Sequence, residues 1–470
     1  SGVRCTRRRN FGWYRGVYSV PKLENRLRDF FILFLQKGVI GMEVLATKFD
    51  AAVVGRNNRA VTLHGMVHAL RDLGGVTFLT LRTREGLIQC VCPRRPEGVR
   101  EECAVSVSGL LRPEPRAPGG AELAEARCTV LSWPAAPPPV PLSKKSSVSL
   151  DTELSLRPVT LRAPRARAVF RIQAAVCRAF REFLQGEGFT EIHTPKLGQA
   201  GAEGGSSQFR LDYFGRKAVL AQSPQLYKQA MVGVFERVYE IGPVFRAEKP
   251  ATQRHLNEYT SLDLEMVFLH SFTDLMALEQ GFLRRLVALL RQEYAGELAL
   301  LGAELPDAQH IPAVRFDEAK RLAAEAYGYA IREPYDLEPE EESLIGRYFK
   351  EEYGSDFVFV THYPSKKRPF YAMDDPHDPK YTLSFDLLFK GLEITTGGQR
   401  IHDYDTIIKK MEKRGMDPEE LASYLMIFKY GMPPHGGLGI GLERLTMRLL
   451  DEQNVRETTM FPRDVTRLEP

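Results

Sequence analysis

The sequence predicts an α+β chain in two parts: an antiparallel β-barrel near the N-terminus and a larger domain built on an antiparallel sheet flanked by helices. Three observations predict it. Short alternating apolar runs are confined to residues 61–131, a proline-rich break follows at 133–141, and beyond it long amphipathic helical patterns alternate with strands. The 470 residues, 43% hydrophobic and 26% charged, can bury a core in each part, which excludes a disordered chain. The best candidate for a membrane segment, Phe30 to Leu35, falls far short of the roughly 18 apolar residues a span requires.

Residues 1–41 differ from the rest. They hold nine Lys/Arg against two Asp/Glu, so with a whole-chain charge of +4 the remaining residues are net acidic. A general basic coat for nucleic acid is therefore absent, and any such contact must come from local patches and base stacking. The expectation is that 1–41 form an atypical extension, non-functional or mis-assigned, with Met42 as a natural start; no small-residue cleavage site marks them as a signal peptide. Six cysteines (Cys5, Cys90, Cys92, Cys103, Cys128 and Cys177) are too few for a disulfide scaffold and lack the pairing of a zinc site, so reduced thiols and a cytoplasmic setting are expected.

Five runs define the barrel, assigned to 42–132. They are Val61 to Val67, Val76 to Leu81, Leu87 to Val91, Ala104 to Val107 and Cys128 to Leu131, punctuated by Leu73-Gly74-Gly75, Arg84-Glu85-Gly86 and Ala117-Pro118-Gly119-Gly120. An OB-fold is the natural candidate at that size. Proline at 134, 137, 138, 139 and 141 cannot donate to a ladder or continue a helix, so 133–160 reads as a linker or hinge. The larger domain, 161–470, opens with a helix from Pro164 to Leu184, where Val169, Ile172, Val176, Ala179 and Phe183 recur at steps of three and four. Residues 189–195 read as a strand ending near Pro195, and about 271–353 as a more helical, acidic insertion.

Charge and glycine pick out the candidate chemistry. In a strand–loop–strand from Val238 to Met266, Arg246 and Glu248 share one face and Asp263 and Glu265 share one on the returning strand, with Arg254 and His255 in the loop between. Arginine's planar fork suits phosphate, although the same pattern also suits a surface ion-pair ladder. Gly436-Gly437-Leu438-Gly439-Ile440-Gly441 leads into a helical pattern bearing Arg444 at its start, which lets backbone approach a ligand. No Walker lysine motif is present, so a P-loop NTPase is not supported. Between these stretches Asp386 and Glu393 are candidates for magnesium, which takes a few carboxylates plus phosphate oxygens, and Arg400 follows two glycines.

In this order the segments resemble the three signature motifs of class II aminoacyl-tRNA synthetases, and the match is closest to the aspartyl-tRNA synthetases of archaeal and eukaryotic type, including their compact form in some bacteria. The resemblance spans about 42–470. It implies a motif 1 at residues 188–195 contributing to a homodimer, and a motif 2 placing Arg246 on the α-phosphate of ATP, Ala247 and Glu248 near the adenine, and Arg254, His255 and Leu256 towards the outer phosphates. It implies a motif 3 over Gly441, Leu442, Glu443 and Arg444, with Arg444 on the γ-phosphate, and Mg²⁺ held by Asp386, Glu393 and Thr396. Catalysis would rest on Arg246, Arg444 and Glu393. Aspartate would be bound by Glu203, Ser223, Gln225, Lys228, Asp263, Thr396 and Arg400, Lys228 being the residue that asparaginyl relatives lack. Thr396 departs from the family's usual serine.

The same resemblance makes the barrel an anticodon-binding domain in which Phe78 stacks on a base, Gln89 hydrogen-bonds one and His68 stands where relatives restricted to tRNA(Asp) often carry tryptophan. It implies charging of both tRNA(Asp) and tRNA(Asn), with a tRNA-dependent amidotransferase completing the second product. An enzyme restricted to tRNA(Asp), a synthetase-like enzyme making free asparagine and a non-catalytic nucleic-acid-binding protein are the competing readings. No membrane partner is expected.

Overall fold

The computed structural model describes residues 59–142, 148–199, 208–249 and 252–469. The expected extension at 1–41 and Glu203 lie outside these residues. The chain divides into two compact units, 1–137 and 138–470.

In the first unit β1 (Arg59–Asp72), β2 (Thr77–Arg82), β3 (Leu87–Cys92), β4 (Ala104–Pro113) and β5 (Ala121–Ser132) close into a barrel in the order β1-β2-β3-β5-β4. Alternation explains closure: Leu79 and Leu81 on β2, Ile88 and Cys90 on β3, Val105 and Val107 on β4 and Leu123 on β5 all point into one core. Cys90, Cys92 and Cys103 are buried and Cys128 is half-buried, all as free thiols; burial pushes the Cys128 thiol up to about 11, which keeps it protonated at neutral pH.

In the second unit the segment expected to be linker up to residue 160 carries two short helices, α1 (Leu150–Ser155) and α2 (Arg157–Thr160). Residues 133–141, where the prolines lie, carry neither helix nor strand. Ser149 caps α1 by accepting from the Thr152 amide, and Pro158 sits in the first turn of α2, where its missing N–H costs nothing. Helix α3 (Pro164–Gly186) follows the predicted periodicity. It packs with α5 (Thr273–Glu293) on an eight-stranded sheet whose order is β12 (Ala313–Arg315), β13 (Phe357–Thr361), β14 (Ser384–Phe389), β15 (Leu392–Gln399), β16 (His435–Gly441), β11 (Glu258–Val267), β10 (Arg237–Phe245) and β6 (Thr190–Glu191). The sheet is antiparallel except where β12 (Ala313–Arg315) meets β13 (Phe357–Thr361) and where β6 (Thr190–Glu191) meets β10 (Arg237–Phe245). The strand expected at 189–195 is thus only two residues long, because Pro195 and a carboxylate-bonded Thr194 turn the chain away.

The stretch expected to be an insertion is built into this architecture. Phe282, Leu283, Leu286 and Leu290 of α5 belong to the main core, β12 forms the sheet edge, and α7 (Phe316–Tyr327) and α8 (Pro339–Tyr353) cover β13. Its exposed acidic residues hid this, because a helix buried on one face stays charged on the other.

Candidate active site

Strands β11 (Glu258–Val267), β15 (Leu392–Gln399) and β16 (His435–Gly441), the start of α11 (Leu442–Leu449) and α4 (Gln225–Phe235) surround a cavity of about 330 Å³. It is lined by Ser223, Gln225, Lys228, Asp263 and Arg400, and by Arg246, Glu248, Arg254, His255, Leu256, Glu393, Thr396, Gly441, Glu443 and Arg444. Fifteen of the residues singled out from the sequence therefore meet in one place. At one position of β16 glycine is required by a neighbouring side chain. Gly437 faces Glu265 across the ladder, and a Cβ on Gly437 would lie 2.0 Å from Glu265 Oε2. Only glycine lets that carboxylate lie flat over the neighbouring strand.

Around the first group, charge is buried and matched. Lys228 Nζ donates to Asp263 Oδ1 at 2.9 Å and to the carbonyls of Leu438 (3.0 Å) and Leu264 (3.3 Å), and Glu265 Oε2 stands 3.4 Å away. Arg400 Nε donates to Glu265 Oε1 at 2.9 Å and its Nη2 to the Gly437 carbonyl at 2.9 Å. Burial alone would raise the Glu265 carboxyl, but Arg400 and Lys228 outweigh it and hold it below its ordinary value. Beneath them His435 is fully buried, its imidazole pushed down to about 4 by burial and so neutral. Gln225 Nε2, a buried donor on the cavity wall, has no hydrogen-bond partner among the described residues. An orphaned donor of this kind is what a polar ligand satisfies.

The second group is more open. β10 ends at Phe245, so Arg246 and Glu248 lie in the loop beyond the strand rather than on one face of it; Asn257 fixes that loop by donating to the carbonyls of Arg246 (2.7 Å) and Glu248 (2.9 Å). Arg246 packs over the Tyr259 ring, 5.7 Å from its centroid. Arg444 donates through Nε to the Arg254 carbonyl (3.2 Å) and through Nη1 to the Glu393 carbonyl (3.0 Å), joining the loop to β15. Burial would raise the Glu393 carboxyl, but Arg444, Arg246, Arg368 and Arg254 together hold it below the usual range. Thr396 Oγ1 donates to Glu393 Oε1 at 3.2 Å, whereas Asp386, expected beside Glu393, is paired with Arg368 Nη2 at 2.7 Å. Ala247 and Leu442 do not line the cavity; the Leu442 side chain belongs to the core.

On the barrel, Phe78 is half-buried and outside the core, opposite Arg71 on β1 and Val91 on β3. Gln89 lies on the same strand as Val91 and donates to Glu122 Oε2 at 3.2 Å. His68, at a bulge in β1, is only 4% exposed, and its Nδ1 stands 3.2 Å from Arg82 Nη1, whose guanidinium is paired with Glu102. Arginine has no acceptor, so the proton of this imidazole is on Nε2. His68 is thus enclosed rather than presented to a base.

Sequence reasoning passed over Arg368, Lys367 and Tyr371, which line the cavity, and Glu342, which reaches it from α8. The signal for Arg368 was a basic run, Lys366-Lys367-Arg368, separated by Pro369 from the aromatic pair Phe370-Tyr371; for Glu342 there was none beyond an acidic helix start.

Comparison with known proteins agrees with this geometry. Residues 149–465 match the family of class II tRNA synthetases (D, K and N), and 61–131 match an OB-fold nucleic acid binding domain. The aspartate–tRNA(Asp/Asn) ligase of Thermus thermophilus is 49% identical over 434 residues, 91% of this chain and 100% of the relative. The enzyme of the same name from Deinococcus radiodurans is 49% identical over 88% of this chain and 96% of its own length. Asparaginyl-tRNA synthetase from Pyrococcus horikoshii, solved with asparaginyl-adenylate, superposes with a TM-score of 0.83 at 30% identity, covering 92% of this chain and all of that one. With motifs, fold and cavity all in agreement, the chain belongs to the class II aminoacyl-tRNA synthetases, in the family of aspartate–tRNA ligases.

Proposed function

We propose that this chain attaches L-aspartate to tRNA through an aspartyl-adenylate and that it charges both tRNA(Asp) and tRNA(Asn). The observation that carries the amino-acid choice is the pair Lys228 and Arg400, both within 3.4 Å of Glu265 Oε2 at the cavity wall. The substrate side-chain carboxylate would take a donor from Lys228 in exchange for its long bond to Leu264, and Gln225 Nε2 would gain the acceptor it lacks. A neutral amide in the same place would turn its own N–H groups towards two cations, which disfavours asparagine.

Arg246, Arg254 and His255 would bind the phosphates and Arg444 the far end of the chain of them. The aspartate α-carboxylate then attacks the α-phosphorus in line, a P–O bond to pyrophosphate breaks, and the terminal ribose hydroxyl of tRNA takes the aspartyl group from the adenylate in a second step. Arg246 offsets the charge that builds on the α-phosphate oxygens, and no side chain acts as a covalent nucleophile, so positioning and electrostatics supply the rate. Asp386, Glu393 and Thr396 offer two carboxylates and a hydroxyl, hard oxygen donors that fit Mg²⁺, and Asp386 Oδ1 is buried without a hydrogen bond of good geometry. Bound there, Mg²⁺ would neutralise phosphate charge.

The barrel would hold the anticodon, with Phe78 stacking on a base and Gln89 reading another. Since His68 is enclosed, its influence on tRNA choice would run through Arg82 and the shape of the β1–β2 wall. Support for the relaxed specificity comes from the names of the bacterial relatives. A homodimer formed through residues 188–195, a cytoplasmic setting and an amidotransferase acting on aspartyl-tRNA(Asn) complete the proposal.

Aminoacylation with labelled aspartate on separate transcripts of tRNA(Asp) and tRNA(Asn) tests it. Comparable charging of both is expected. Charging of tRNA(Asp) alone would keep the ligase and discard the His68 argument; charging of neither, with adenylate still formed, would point to another acceptor.

A further inference from the structure

Helix α8 meets the cavity by an unusually close contact. A Cβ on Gly346 would lie 2.4 Å from both the Cα and the N of Gly391, and one on Gly391, at φ +71°, would lie 2.8 Å from Ser343 Cα. The helix therefore rests backbone to backbone on the β14–β15 turn, β14 being Ser384–Phe389. Glu342, one turn before Gly346 on the same face, is thereby carried to the phosphate end of the site. Its carboxylate accepts Arg254 Nη2 at 2.7 Å (Oε1) and 2.9 Å (Oε2), and Oε2 also accepts the Glu393 amide at 3.0 Å. Arg444 closes the circuit from the other side through the carbonyls of the same two residues, Arg254 and Glu393.

We infer that Glu342 is a positioning residue for ATP: it sets the Arg254 guanidinium and the Glu393 backbone in their working places before nucleotide arrives. The inference rests on the proposed role of Arg254 at the outer phosphates. Three features carry it. Glu342 engages Nη2 alone, leaving the Nη1 side of the fork for a ligand. The carboxylate is buried, 4% exposed, so the arginine it holds is immobilised rather than loosely paired in solvent. Finally, Glu342 spans two chain segments far apart in sequence that must both be in register for a polyphosphate to be gripped.

The test compares Glu342→Ala, Glu342→Gln, Arg254→Ala and the Glu342→Ala/Arg254→Ala double variant. KM for ATP and for aspartate is measured in ATP–pyrophosphate exchange, ATP binding by calorimetry, and the fold by thermal melting. A lost charge-assisted contact predicts that Glu342→Ala raises KM and Kd for ATP about tenfold while KM for aspartate stays within about twofold, with Glu342→Gln intermediate. In the Arg254→Ala background the second substitution should cost clearly less than it does alone, because only its hold on the Glu393 amide is then left to lose. Unchanged or tighter ATP binding, equal rises for both substrates, or additivity in the double variant would overturn the inference. An unsubstituted protein that binds ATP but exchanges no label with aspartate would instead sink the proposed reaction, and the calorimetric comparison would still decide the role of Glu342.

Discussion

At one end of the cavity Lys228 and Arg400 are enclosed and already matched by Asp263 and Glu265, whereas at the other Arg246 and Arg254 stand on a loop pinned through its backbone carbonyls, with Arg254 also paired to Glu342. The first arrangement freezes a binding pattern into the core, so that shape and charge are decided at folding. The second keeps its cations anchored yet within reach of a large, flexible anion. A buried ion pair contributes little to net stability but is costly to break, so the amino-acid end, with four buried charges, should couple specificity to folding more strongly than the phosphate end.

The largest effect is therefore expected at Lys228. Replacing it by methionine removes one cation from a set of two and two, leaving Asp263 and part of Glu265 buried without a partner. Such a loss destabilises a fold by about 3–5 kcal/mol, and urea unfolding of Lys228→Met should register it together with loss of aspartate-dependent exchange. A variant as stable as the parent would mean that the matched set is not what holds this wall together.

Arg444 tests the other end. Its side chain donates to two backbone carbonyls and stands 3.7 Å from the partly exposed Glu393 carboxylate, so Arg444→Ala should lower the melting temperature far less than Lys228→Met. Aspartate-dependent ATP–pyrophosphate exchange should fall about 10²–10³-fold, the usual cost of removing one preorganised donor from developing charge. If Arg444→Ala unfolded as readily as Lys228→Met, the contrast between the two ends would collapse.

Much of this was legible in the sequence, for physical reasons that differ between the units. The barrel runs were readable because period two forces every second residue inward, and Leu79, Leu81, Ile88 and Cys90 are indeed interior. Strand spacing also paired Asp263 with Glu265, although it extended β10 past Phe245 and so misjudged how Arg246 and Glu248 are held. What stayed hidden depends on contacts between distant segments. Glu342 reaches Glu393 only because two glycines let a helix sit on a turn, and Arg368 reaches Asp386 from a loop 18 residues earlier. The enclosure of His68, expected at the anticodon, escapes an alternation argument because a bulge in β1 shifts the register just there.

Glu279 sharpens the comparison by offering a buried carboxyl that meets no cation among the described residues. It lies on α5 behind β15, where Thr395 Oγ1 donates to its Oε1 at 2.5 Å and its Oε2 has no partner. Burial pushes this carboxyl from an ordinary 4.5 up to about 8. Between those values the folded protein keeps a proton that the unfolded chain has released, so raising the pH across this window favours unfolding. Below it both states are protonated, and above it both are ionised. The slope from one such group is at most about 1.4 kcal/mol per pH unit. Glu279→Gln carries no proton to lose, so its unfolding free energy relative to the parent should climb between about pH 5 and 8 and level off above that. Parallel stability curves for the two proteins would mean that Glu279 is ionised in the fold, and that a cation elsewhere matches it as Lys228 and Arg400 match their carboxylates.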